Sequence, residues 1–246
     1  SFDGGGGTVR FYSTATEALL AGESSFDSVV FDGTGSWSFI DTSVDVDGDV
    51  TVVQGTVTLP TSLVTIGGSY TNSDTVTAGA GTVTFDSLDT GESINFGNST
   101  LNNVRFDSVT GGWTLTNSAT TTGSTTIENA NDWTLTSGEA LSVGGVFTNS
   151  VGGASTTWTG TTLSLESGDY SINTKAVFGD IYEEIRVAAS TDIAMWNSVA
   201  TTYTIVPTGS LYSQDHNVID GDLYIWGAYE KTNDSEYWAY DTDFDG

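Results

Sequence analysis

Residues 16–32 (TEALLAGESSFDSVVFD) return as residues 91–107 (GESINFGNSTLNNVRFD), at an offset of 75. The match spreads to both sides. GTVRF at 7–11 pairs with GTVTF at 81–85, GSWSF at 35–39 with GGWTL at 111–115, and IGGSYTNS at 66–73 with VGGVFTNS at 143–150. The offset drifts only between 74 and 77. A long internal repeat made of short segments is the mark of a stacked solenoid, in which each unit buries its apolar side on its neighbours.

The segments alternate. TVRF, SVVF, SWSFI, DVTVV, TVTL, TVTF, VRF, WTL and LSV place branched or aromatic residues at every second position, with Gly, Asn or Asp between segments. This period of two predicts strands. TEALLAG could pass for a helical turn, but its repeat partner GESINFG cannot, so both are expected to be strands. Two prolines in 246 residues leave the ladders uninterrupted. A sandwich has no reason to repeat a 75-residue block, and a propeller blade is shorter. The expectation is all-β: a right-handed parallel β-helix, with each block divided into three or four coils of about 20 residues. Val9, Val29 and Val50 should point inward one coil apart, with Phe11 over Phe31. The whole chain would make roughly 12 coils, a rod of about 55–60 Å.

Two regions follow. Residues 1–175 hold the two blocks, and 176–246 are expected to continue the solenoid with an aromatic-rich, acidic end. Ile185, Ile193, Tyr203, Leu211 and Leu223 keep the strand cadence there; a separate small β domain is the alternative. Phe2-Asp3-Gly4 and Phe244-Asp245-Gly246 bracket the chain, and no amphipathic capping helix is visible at either end. With Ser1 in place of Met, the chain is read as a mature form or one module of a longer array.

Composition excludes several functions. Five basic residues against 32 acidic ones give a net charge of -27, so binding to nucleic acid is excluded for want of clustered Lys and Arg. An anionic membrane is disfavoured on the same ground, and no apolar run is long enough to span one. Divalent cations suit such a surface, whose charge also keeps it soluble. The absence of cysteine removes disulfides and thiolate chemistry.

The phrases GTVTF, FDS before an apolar strand, GGWTL and (I/V)GGx(Y/F)TNS, with GSLYSQDH, GDLYIWG and EYWAYDTDFDG in the tail, resemble bacterial cell-surface repeat proteins. These are adhesin-like parallel β-helix proteins, found among large surface proteins of candidate-phyla and Gram-negative bacteria. The resemblance covers residues 2–150 well. It implies a parallel β-helix and a role in adhesion or in a surface fibre, with no catalytic motif to carry over.

Several residues could carry chemistry. Asp241, Asp243 and Asp245 form a D-x-D-x-D-G run that begins like a calcium loop, and Asp45, Asp47 and Asp49 form a second acidic run. Asp and Gly also make ordinary tight turns. Ten of the 17 Tyr and Trp residues fall within 176–246. In GDLYIWGAY, Leu223 and Ile225 should face the core. Tyr224 and Trp226, with Tyr229 and Trp238, would then form an outward face that could stack on sugars or cover the solenoid end. His216 is alone and makes no triad. Paired carboxylates are too common to mark a glycosidase, and basic residues are too few for a lyase on a β-helix. Thr-x-Thr runs are too irregular for an ice-binding face. Asn98 and Asn233 match the glycosylation pattern incidentally.

The leading expectation is a non-enzymatic extracellular module of a fibre or filament, built by end-to-end stacking or tandem repetition, with calcium as its cofactor and copies of itself as partners. Glycans or a host-cell surface are further partners. The alternatives are a carbohydrate-binding module using the aromatic tail, or a polysaccharide-degrading enzyme on the same scaffold.

Overall fold

The computed structural model describes residues 6–22 and 24–166, followed by the strands from Gly168–Asn173 to Asp241–Phe244. Beyond residue 166, side chains are described for residues 182–186 only. Every strand pairing is parallel, and no helix occurs among the described residues. The chain is a parallel β-solenoid.

Each complete coil has three faces. On the first face, eight strands stack from Thr8–Phe11 through Gly112–Leu115 to Thr156–Thr157. The second face begins with Thr16–Leu19 and continues through Thr75–Thr77. After a single bridge from Leu101 to Thr121 it runs through Ala119–Thr121, Ala140–Val143 and Thr162–Leu165. The third face holds six strands, from Ser43–Val46 to Phe147–Asn149. From Tyr182 onward the pairings run through two sheets, with Ile185 beside Tyr203 and then Leu223, and Ile193 beside Leu211. About eight coils therefore carry the first face, against the roughly 12 expected. The first-face sheet ends at Thr156–Thr157, and the later strands stack on in two further sheets.

The predicted columns are present. Val9 sits beside Val29, which sits beside Val50, and Phe11 lies over Phe31 with ring centroids 5.0 Å apart. TEAL is a strand, as its repeat partner required. Strand alternation puts every second side chain into one continuous core. Trp37, Trp113, Trp133 and Trp158 are fully buried in it, and Trp133 and Trp158 approach to 4.7 Å. Aromatic contacts of this kind contribute about 1 kcal/mol each beyond area burial.

The two blocks are structural copies, but one is turned against the other. GTVRF at 7–11 lies on the first face of the first coil, whereas GTVTF at 81–85 lies on the third face of the fourth. Trp37 is on the second face and its partner Trp113 on the first. Ile66 is on the third face and Val143 on the second. The block thus spans three coils and two faces, between the three or four whole coils expected. Packing is preserved through the turn. Phe11–Phe31 and Phe85–Phe106 both stack at 5.0 Å, and Phe31–Trp37 and Phe106–Trp113 both lie at 5.4 Å. Gly22 and Gly97, equivalent in the repeat, take φ of 65° and 60°, a left-handed corner that glycine enters without penalty. The register slips at the same place in each copy, where Asp32 pairs with Gln54 and Asp107 with Asn129. The extra residues in these bulges, Val53 and Glu128, are also equivalents.

The TNS phrases show why the copies turn alike. Asn72 and Asn149 point inward at 2% and 3% exposure. A buried amide must be satisfied. The Asn72 oxygen accepts from the Asp74 amide, and its nitrogen donates to the Phe96 carbonyl and to Ser99. The Asn149 oxygen accepts from the amides of Val151 and Gly152, and its nitrogen donates to the Tyr182 hydroxyl. Among the described residues, four buried groups depart from this economy: the Tyr70 hydroxyl and the indole nitrogens of Trp113, Trp133 and Trp158 have no hydrogen-bond partner. Where the first copy has Tyr70, the second has Phe147. Burial pushes the Tyr70 phenol above the ordinary tyrosine range.

Two predictions follow from the duplication. Excising residues 16–90 should leave a folded solenoid, because residues 6–15 then stand where 80–90 stood. The rod should shorten by about 18 Å, three coils and two faces at ~4.8 Å per coil. Circular dichroism and small-angle scattering check this, and an unfolded product would contradict the equivalence of the blocks. Tyr70→Phe should raise the unfolding free energy by about 1 kcal/mol through relief of an unpaired buried hydroxyl; a denaturant titration showing a loss would refute the assignment.

Candidate functional site

The interior offers little room. Among the described residues, one interior cavity of about 20 Å³ is lined by Phe31, Val52, Ile66 and Tyr70 among others. That is about the space of one water, with no polar group to hold it. Chemistry on the described residues therefore lies on the outside, along the ridges where outward side chains stack from coil to coil.

The most charged ridge runs along the third face. The bridge from Phe26 to Val46 sets Asp27 beside Asp47. The registers of Ile66 with Phe85 and of Phe85 with Phe106 then carry the line through Gly67 to Asp86 and Asp107. Neighbours on this line are about 4.8 Å apart in the backbone. Most of the carboxylates are already engaged. Asp45 accepts from the Thr65 hydroxyl, Asp47 from the Ser25 hydroxyl at 2.8 Å, and Asp49 from the Ser69 amide at 2.8 Å. Asp107 accepts from Arg105 at 2.8 Å and from Asn129 at 2.7 Å. Asp86 has no cation beside it in this series. Partial burial, then repulsion from Asp45, Asp47 and Asp107, pushes its carboxyl above the usual range.

Asp45, Asp47 and Asp49 thus lie exposed along one ridge and its turn, each tied to a neighbouring coil. Among the described residues no group of three or more His, Cys, Asp or Glu is arranged to hold a metal ion. Of the other singled-out residues, Asp241, Asp243, Tyr224, Tyr229 and Trp238 are described through backbone pairing alone, in which Tyr224 stands beside Asp243. Asp245, Trp226 and His216 lie outside the described residues.

Sequence reading missed a second constellation, present in both copies of the repeat. Arg10 pairs with Asp32, and Asp32 also accepts from Gln54 at 3.2 Å. In the second copy, Arg105 pairs with Asp107, which accepts from Asn129. Arg10 and Arg105 do not align in the repeat, because Arg10 matches Thr84 and Arg105 matches Val30. Both still reach the equivalent aspartate, one from the strand of the preceding coil and one from the same strand. Asp–Asp and Gln–Asn matches at an offset of 75 were the available signal.

Compared with family models, with curated proteins and with solved structures, the chain matches none.

The raised Asp86 carboxyl makes a pH prediction. A carboxyl whose folded pKa exceeds its unfolded value favours the folded state at low pH, and that contribution is lost as pH rises through the folded value. Asp86→Asn should therefore melt higher than the parent at pH 7. The difference should shrink as pH falls toward about 4, where the unfolded carboxyl also protonates. Calorimetry at the two pH values tests this; an unchanged melt at pH 7 would refute it.

Proposed function

We propose that this chain is a non-enzymatic structural module of an extracellular or cell-surface fibre, extended by end-to-end stacking or by tandem repetition of its blocks. The observation that carries the reading is a difference between repeat equivalents. Thr82–Phe85 is paired on both sides, by Leu63–Ile66 and by Asn103–Asp107, and its Val83 and Phe85 are 4% and 0% exposed. Thr8–Phe11 carries the same GTVxF phrase, but among the described residues it pairs only with Ser28–Phe39. Its Val9 and Phe11 are only partly buried. A strand that pairs on both sides elsewhere in the same chain is competent to accept another coil here. The filled interior supports a scaffold role, and the likeness to bacterial surface repeat proteins supports a place outside the cell. Calcium is the counterion this reading assigns to the acidic ridges, and copies of the same chain are the partners.

A net charge of -27 opposes self-association, so stacking should strengthen with salt and with calcium. Sedimentation velocity across a concentration series, with electron microscopy, should show elongated species that grow with concentration and ionic strength. Thr8→Pro, which removes a ladder donor from the outer edge of Thr8–Phe11, should suppress them. A strictly monomeric chain at every concentration, salt and calcium level would overturn the reading.

A further inference from the structure

The duplication supplies an internal control for the outer surface. At the corner after the bulge, both copies keep the same frame of arginine, aspartate and side-chain amide. Around that frame the copies differ at several positions, and Arg10 itself corresponds to Thr84. Tyr12, beside Asp32 in the stack, corresponds to Asp86; Val30 corresponds to Arg105; the bulge residue Val53 corresponds to Glu128. The second copy folds with charges at all three positions, so the first copy does not need apolar groups there to fold. Yet Tyr12 is 74% exposed and Val53 43% exposed. Solvent-facing apolar side chains that the scaffold does not require mark a contact surface.

We infer that the corner formed by Arg10, Tyr12, Asp32, Val53 and Gln54 is a shallow binding site for a neutral saccharide. An open phenol ring gives a stacking platform with little conformational entropy to lose. Beside it the guanidinium, carboxylate and amide lie in a row, and these groups can donate to and accept from adjacent hydroxyls on a sugar ring. The Arg10 side chain is 58% exposed and Asp32 only 14%, so the ion pair is held in place while the guanidinium stays accessible. The patch spans three coils, about 10 Å at ~4.8 Å per step, the length of one or two pyranose rings. The charge of the chain selects against acidic polysaccharides. The site lies wholly on the first three coils and does not depend on the fibre reading.

Titration calorimetry and saturation-transfer NMR on the whole chain, with cello-, xylo-, manno- and laminarihexaose as probes, test the inference. At least one probe should bind saturably. Tyr12→Ala should weaken it by about tenfold or more, the equivalent of ~1.4 kcal/mol. Tyr12→Trp should keep binding, and Arg105→Ala at the equivalent corner should leave it unchanged. Melting curves of the Tyr12 variants should match the parent, since the ring is exposed. Failure of every neutral hexaose to bind, binding confined to acidic polysaccharides, or binding that survives Tyr12→Ala would each overturn the inference. None of these results bears on concentration-dependent stacking.

Discussion

Everything in this molecule depends on each coil lying in register over the one below. Parallel pairing places like positions side by side, so an inward residue always meets the inward residue of the next coil. Val9, Val29 and Val50 form one column, and Trp113 sits beside Trp133 in another. Because each column is continuous, no coil has a core of its own. Its apolar side chains are buried by its neighbours, and its backbone donors are satisfied by them. Buried polar groups obey the same constraint. The inward hydroxyls of Thr121 and Thr125 meet at 2.9 Å, and the inward amides of Asn72 and Asn149 each close a turn.

The one-third rotation between the blocks follows from how little the three faces differ inside. A strand in a parallel coil needs alternating apolar residues and a corner at each end, and it carries no mark of which face it occupies. Phe11, Phe31 and Trp37 pack at nearly the same distances as Phe85, Phe106 and Trp113, although the latter set is turned by a face. What must be conserved is local: the order of strand, bulge, strand and corner. A 75-residue block that closes on two thirds of a coil is therefore as acceptable as one that closes on whole coils. Its consequence is external, since equivalent surfaces of the two blocks look in different directions.

This also explains what was legible in the sequence. Alternation in TVRF and SVVF reports strands, and the spacing of Val9, Val29 and Val50 reports coil length, because both depend on burial repeated at short range. The repeat settled TEAL as a strand by comparison with ESIN. Face identity was not legible, since it depends on counting corners whose lengths vary: Val50 to Tyr70 takes 20 residues and Tyr70 to Ile94 takes 24. Nor was the Arg10–Asp32 pair, because its partners lie 22 positions apart and the second copy draws its arginine from another site. The acidic phrase at 45–49 was visible as composition. The carboxylates that share its ridge, Asp86 and Asp107, come from later coils and could be found only once the register was known.

A scaffold of this kind separates folding from recognition. Inward positions are fixed by the columns, and corners by glycine, asparagine and the bulge. Outward positions on the faces are constrained only by the need to tolerate water and their stacked neighbours. Duplication makes that freedom measurable, because each outward residue has a counterpart that supports the same backbone. Where counterparts agree, as with Asp32 and Asp107, the shared role is to hold the bulge. Where they differ in polarity, as with Tyr12 and Asp86, the difference cannot be charged to folding, because both backbones are made. Specific activity on such a solenoid is therefore to be sought in the residues by which its copies disagree.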